Sequence, residues 1–86
     1  MATFLPQARL LRLLSAVGPS FVLMEDFRAS NTPGTVIENL AGVRAFSFGR
    51  GDARAFRSLL RSGRVVSEES IPGPKDLFRT RYGVRP

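Results

Sequence analysis

The 86-residue chain has no cysteine, no histidine and no tryptophan, and only one lysine and one tyrosine. Without Cys or His there are no disulfides, no thiol nucleophiles, no Cys/His metal sites and no histidine-dependent catalytic triad. Long apolar runs are missing as well. The longest uncharged stretch, Leu13 to Met24, is twelve residues broken by Gly18-Pro19, against the ~20 that a spanning helix needs. No conventional transmembrane segment is expected. Neither a Gly-x-x-x-x-Gly-Lys run nor a complete Gly-x-Gly-x-x-Gly occurs. The turn Gly49-Arg50-Gly51 has Arg54 where a third glycine would stand, so no nucleotide cofactor is expected.

What the chain does have is arginine: twelve, with Lys75, against seven acids, for a formal charge of +6. Apolar residues make up 43%, enough for one small core. The first 24 residues contain Arg9 and Arg12 but no acid. That is the composition of an organellar targeting helix. It sets the expected location, a mitochondrion or another organelle, or the cytoplasm if the source is bacterial.

Apolar periodicity and turn residues divide the chain into three parts. An amphipathic N-terminal helix occupies 1–18, with Pro6 in its opening turn, Leu10, Leu11, Leu13, Leu14 and Val17 in one arc, and Arg9, Arg12 and Ser15 opposite. A small α/β unit occupies 19–70. It begins with a buried strand at Phe21–Met24 and a cap-and-turn cluster, Ser30-Asn31-Thr32-Pro33-Gly34. A short helix then runs through Leu40, suggested by the capping-box spacing of Thr35 and Glu38. A strand follows over Val43–Phe48, a helix over Ala53–Ser62 with Asp52 as N-cap, and a strand from Val65-Val66. Ile71-Pro72-Gly73-Pro74 opens an extended tail, 71–86. The expected fold is α/β or α+β: a three-stranded sheet under short helices, parallel neighbours permitted, with the tail outside it.

The strongest functional pattern is on the third helix. At 100° per residue Arg54, Arg57 and Arg61 share a face, while Phe56, Leu59 and Leu60 lie opposite. Arg50 and Arg64 extend the ridge at each end. From Arg44 to Arg64 six arginines meet only Asp52, whereas Glu25 to Val43 sums to −2. Arginines at i,i+3 and i,i+4 repel one another, and phosphates or carboxylates relieve this through the guanidinium fork. The anion- or nucleic-acid-binding set is therefore Arg50, Arg54, Arg57, Arg61 and Arg64. Lys75, Phe78, Arg79, Arg81, Tyr82 and Arg85 form a second set, a tail that grips a partner.

The acid pairs Glu25-Asp26 and Glu68-Glu69 end apolar segments and could hold a hard cation. Successive strand residues point to opposite faces, however, and Arg28, Arg44 and Arg64 are nearby partners. No catalytic residue, metal or cofactor is expected. The leading expectation is a non-catalytic component of a large organellar assembly, a ribosomal protein set on rRNA and neighbouring protein subunits. An accessory subunit of a respiratory-chain complex, meeting protein or anionic lipid at a membrane surface, is the alternative. A small dimeric nucleic-acid-binding regulator is the third.

Overall fold

Pro6 stands in the first turn of a helix, α1 (Leu5–Val17), that stops before Gly18-Pro19. The computed structural model describes residues 5–29 and 34–86, and places α1 first in the order α1, β1 (Ser20–Asp26), β2 (Gly34–Glu38), β3 (Arg44–Ser47), α2 (Asp52–Arg61), β4 (Val65–Ile71), β5 (Leu77–Val84). The sheet has five strands in the order β3-β2-β1-β5-β4, every neighbour antiparallel. The three-stranded sheet with parallel neighbours is thereby overturned. Of the expected cap-and-turn cluster, 30–33 lie outside the described residues.

Two segments account for the difference. Gly34–Glu38, expected to be a helix, is strand β2: Thr35, Val36 and Ile37 are β-branched and pack best on a pleated surface. Strands on both sides satisfy its backbone, since Met24 is opposite Val36 and Phe46 opposite Ile37. Gly42 belongs to the β2–β3 turn, where its N–H reaches the Asn39 carbonyl. There Asn39 Oδ1 accepts from the N–H groups of Ala41 and Val43.

The supposed tail is the second difference. Leu77–Val84 is β5, inserted between β1 and β4 as the neighbour of the apolar central strand. Val65-Val66 extends through Ile71 as β4 because β5 supplies its partner, with a register shift between Ser67 and Glu69.

Both helices lie on one face of the sheet. Leu10 and Leu14 from α1, and Ala55, Phe56 and Leu59 from α2, meet Phe21, Leu23, Ile37 and Val65 in a single core cluster. Aromatic rings fill its centre. Tyr82 stacks on Phe21 at 5.8 Å between centroids and meets Phe56 edge-on at 5.0 Å. Such pairs add roughly 0.5–1.5 kcal/mol each to their burial. The other face carries no helix, yet Val22, Met24 and Val36 are buried there too.

The ends of α2 are set by its flanking residues. Asp52 is not the N-cap. Gly51 holds that position with φ 85°, and no side chain caps the helix. Asp52 Oδ2 instead accepts from the Gly49 N–H at 2.6 Å, bracing the turn that enters the helix. At the other end Gly63 takes φ 77°. Its N–H reaches the Leu60 carbonyl while the Arg64 N–H reaches that of Leu59. This left-handed C-terminal closure favours glycine.

Candidate functional site

The helical layer is where the charge resides. The segments of α1 and of the α2 region through Arg64 carry seven arginines, Arg9, Arg12, Arg50, Arg54, Arg57, Arg61 and Arg64, against the single Asp52. The remaining six basic and six acidic side chains cancel, so the whole formal charge of +6 lies on this layer.

On α2 the apolar side sets the direction of the ridge. Ala55, Phe56 and Leu59 are buried, which turns Arg54, Arg57 and Arg61 outward, and all three are exposed. Arg50 and Arg64, before and after the helix, are exposed as well. Among the described residues none of these five arginines has a carboxylate within 4.0 Å. Asp52, the one acid of the layer, is 5% exposed and is held by the Gly49 N–H. Among the described residues the guanidinium within 4.0 Å of it is that of Arg9, at 3.7 Å.

That contact brings in two residues the sequence reading left out of the set. Arg9 and Arg12 project from α1 and, with Arg50, line a shallow depression beside Pro6 and Asp52. A second depression between the helices is lined by Arg50 and Arg54 with Gln7 and Ser58. The basic surface therefore spans both helices. The signal was present in the sequence, since Arg9 and Arg12 fall opposite Leu10 and Leu14 at helical spacing. Only the packing of α1 against α2 joins them to the ridge.

The second residue set divides. Tyr82 is committed to the core beside Phe21 and Phe56. Arg79 Nε donates to Glu38 Oε1 at 3.2 Å. Arg81 donates through Nε to Glu68 Oε1 and contacts Glu69 Oε1 through Nη1, both at 3.0 Å. Lys75, Phe78 and Arg85 are exposed, and Phe78 meets Phe27 edge-on at 5.7 Å.

The acid pairs do not converge. Asp26 is clasped by Arg28, whose Nε and Nη2 donate at 2.9 and 2.8 Å. Glu68 and Glu69 belong to Arg81, not to Arg44 or Arg64. Among the described residues there is no group of three or more His, Cys, Asp or Glu able to hold a metal ion, and no helix long and apolar enough to cross a membrane.

Comparisons with protein-family models, with curated proteins and with solved structures return no match to this chain. The chemistry of the surface must carry the functional argument. An exposed two-helix layer bearing seven guanidiniums, five of them on and around one helix and without a carboxylate within 4.0 Å among the described residues, presents fork-shaped donors at high positive potential. Such a layer suits the phosphate oxygens of a polyanion.

Proposed function

We propose that this protein is a non-catalytic subunit of a large ribonucleoprotein assembly, in its most specific form an organellar ribosomal protein, whose helical layer docks on RNA phosphates. The observation that carries the reading is the segregation of charge. Outside the helical layer six acidic and six basic side chains cancel, while among the described residues Arg50, Arg54, Arg57, Arg61 and Arg64 have no carboxylate within 4.0 Å. Repulsion between neighbouring guanidiniums costs the free protein a few tenths of a kcal/mol per pair. An external polyanion removes that cost and adds charge-assisted bonds.

Backbone docking is favoured over base reading on the ridge itself, because no aromatic side chain lies among the arginines there. RNA is favoured over a lipid surface by the fate of α1. Leu10 and Leu14, the centre of its apolar stripe, are fully buried in the core and are not free to enter a bilayer.

Fluorescence anisotropy with a mixed-sequence single-stranded RNA and an RNA duplex, across about 50–200 mM salt, tests the proposal. Affinity should fall steeply with salt. Replacing Arg54, Arg57 and Arg61 together by Ala should flatten the log–log slope by about 2, at roughly 0.7 per phosphate contact on single strands. Salt-independent binding, or a triple variant with the wild-type slope, would overturn it. Co-sedimentation with anionic vesicles without RNA affinity would assign the layer to lipid instead.

A further inference from the structure

Beside the ridge, on its sheet side, lies a cleft of about 230 Å³. Its floor is the helix-covered face of the sheet at Leu23, Glu25 and Tyr82, its walls are Phe48 and Phe56, and Arg57 stands at its rim. Glu25 sets this cleft apart. It is half-buried, and among the described residues it is the only carboxylate not exposed that has neither an ion pair nor a hydrogen bond. The other half-buried or buried acids, Asp26, Glu38 and Asp52, are all matched. Tyr82 does not donate its hydroxyl to Glu25 either; burial, with the Glu25 charge as the lesser cause, raises the phenol above its usual value.

The geometry points to this cleft as a pocket for one unpaired guanine base of the RNA that the arginine layer docks, and the inference rests on that reading. An ionised carboxylate only accepts hydrogen bonds. The Watson–Crick edge of guanine offers two adjacent donors, the ring N1–H and the 2-amino group, to its two oxygens. Adenine and cytosine place a ring-nitrogen lone pair beside their single amino group, which a carboxylate repels, and uracil has one N–H between two carbonyls.

Phe48 and Tyr82, both half-buried, line the cleft beside Phe56 and give it the aromatic walls against which a splayed-out base is usually held. The charges also fix the orientation. Glu25 repels a phosphate from the interior while Arg57 attracts one at the rim, so the base enters and the backbone stays on the ridge side. A cationic side chain from a protein would satisfy Glu25 too, but it would have to pass Arg57. The charge at the rim thus favours the nucleotide.

The test compares a short oligouridine with the same oligomer carrying one central guanosine, and with one carrying inosine, which lacks the 2-amino group. Wild type should bind the guanosine oligomer about tenfold more tightly than oligouridine, a stacked and hydrogen-bonded base being worth that much, with inosine between. Glu25→Gln should remove the preference, and it should bind oligouridine no more weakly than wild type does. In parallel, guanosine 5′-monophosphate should shift the ring resonances of Tyr82 and Phe48. Equal, salt-sensitive binding of all three oligomers would overturn the pocket and leave backbone docking standing. Absence of both oligomer binding and nucleotide shifts would overturn both. Shifts caused by an arginine peptide and not by the nucleotide would assign the cleft to a protein and overturn the proposal. The inosine comparison is made on the wild-type protein, so it does not depend on how Glu25→Gln folds.

Discussion

Arg79 on β5 and Glu38 on β2 join hands across the strand between them, Nε to Oε1 at 3.2 Å. In register, Arg79 lies opposite Met24 and Glu38 opposite Val22, so the pair runs diagonally over β1. No helix covers this face, yet Val22 and Met24 are 5% and 9% exposed. The arginine stem and the ion pair do the covering that a second helical layer would do elsewhere.

Removing Arg79 should therefore cost more than a surface ion pair, whose typical worth is about 0–1 kcal/mol. Arg79→Ala uncovers Met24 and leaves Glu38, itself 8% exposed, as an unpaired carboxylate. A loss of roughly 2–3 kcal/mol is expected in urea unfolding. Arg79→Ala combined with Glu38→Gln should recover part of it, because the stranded charge is then gone. Equal stability of the single and double variants would mean that packing alone is at work.

This pair also explains where the sequence misleads. The alternation of Phe78, Tyr82 and Val84 with Arg79, Arg81 and Arg85 was visible, and so was its extended character. An arginine-bearing stripe after a proline-rich turn reads as a strap for a partner because nothing local supplies its counter-charges. Those counter-charges, Glu38, Glu68 and Glu69, lie 41, 13 and 12 residues away in sequence. Only strand pairing brings them in. The helix at Thr35–Leu40 failed for a related reason, as the spacing of Thr35 and Glu38 is local while the pairing of Val36 and Ile37 on both sides is not. The elements α1, β1, β3 and α2 were legible because each carries its own apolar period and stop residues. The outward ridge was legible on the same ground. The cleft at Glu25 was not, since its walls come from β1, β3–α2 and β5.

Close approach at Gly83 gives a second prediction. A Cβ built there would lie 2.5 Å from Glu68 Oε2. The carboxyl end of a glutamate can usually swing away, but Glu68 Oε1 is held by Arg81 Nε at 3.0 Å and by the Ser20 hydroxyl at 3.2 Å. Gly83→Ala should thus destabilise by about 1–2 kcal/mol, through loss of these bonds and strain on a central strand. Glu68→Ala in the same chain should relieve most of the clash. If the double variant is no more stable than Gly83→Ala alone, the backbone and not Glu68 sets the requirement for glycine.

Stability should fall at both ends of the pH scale. Arg28 holds the Asp26 carboxyl down to about 2 through side-chain and backbone hydrogen bonds. A depressed carboxyl stabilises the fold fully above its unfolded value of 3.8, and that contribution disappears as pH falls through about 2. At the alkaline end burial, helped by Glu25, raises the Tyr82 phenol above its usual 10.0. The unfolded chain then loses its phenolic proton first, so stability declines as pH rises past about 10. Thermal melts of Asp26→Asn and Tyr82→Phe check the two limbs separately. Asp26→Asn should flatten the acid limb only, and Tyr82→Phe the alkaline limb only.

The ridge itself should show opposite signs for stability and binding. Arg57 has Arg54 three residues before it and Arg61 four after it, and among the described residues no carboxylate lies within 4.0 Å of any of them, Glu25 sharing only the cleft that Arg57 rims. Arg57→Glu converts two repulsive neighbours into attractive ones, with the acid N-terminal to Arg61 in the favourable i,i+4 order. Each new pair is worth about 0.2–0.5 kcal/mol and the lost repulsion a similar amount. The variant should therefore melt slightly higher than wild type while its RNA affinity drops and its salt slope flattens. A side chain whose reversal helps the fold has no structural duty, and its sign must answer to something outside the chain. If Arg57→Glu lowers the melting temperature, the ridge is serving the helix, and the drop in RNA affinity can be read as damage to the fold. Measuring both quantities on one preparation separates these cases.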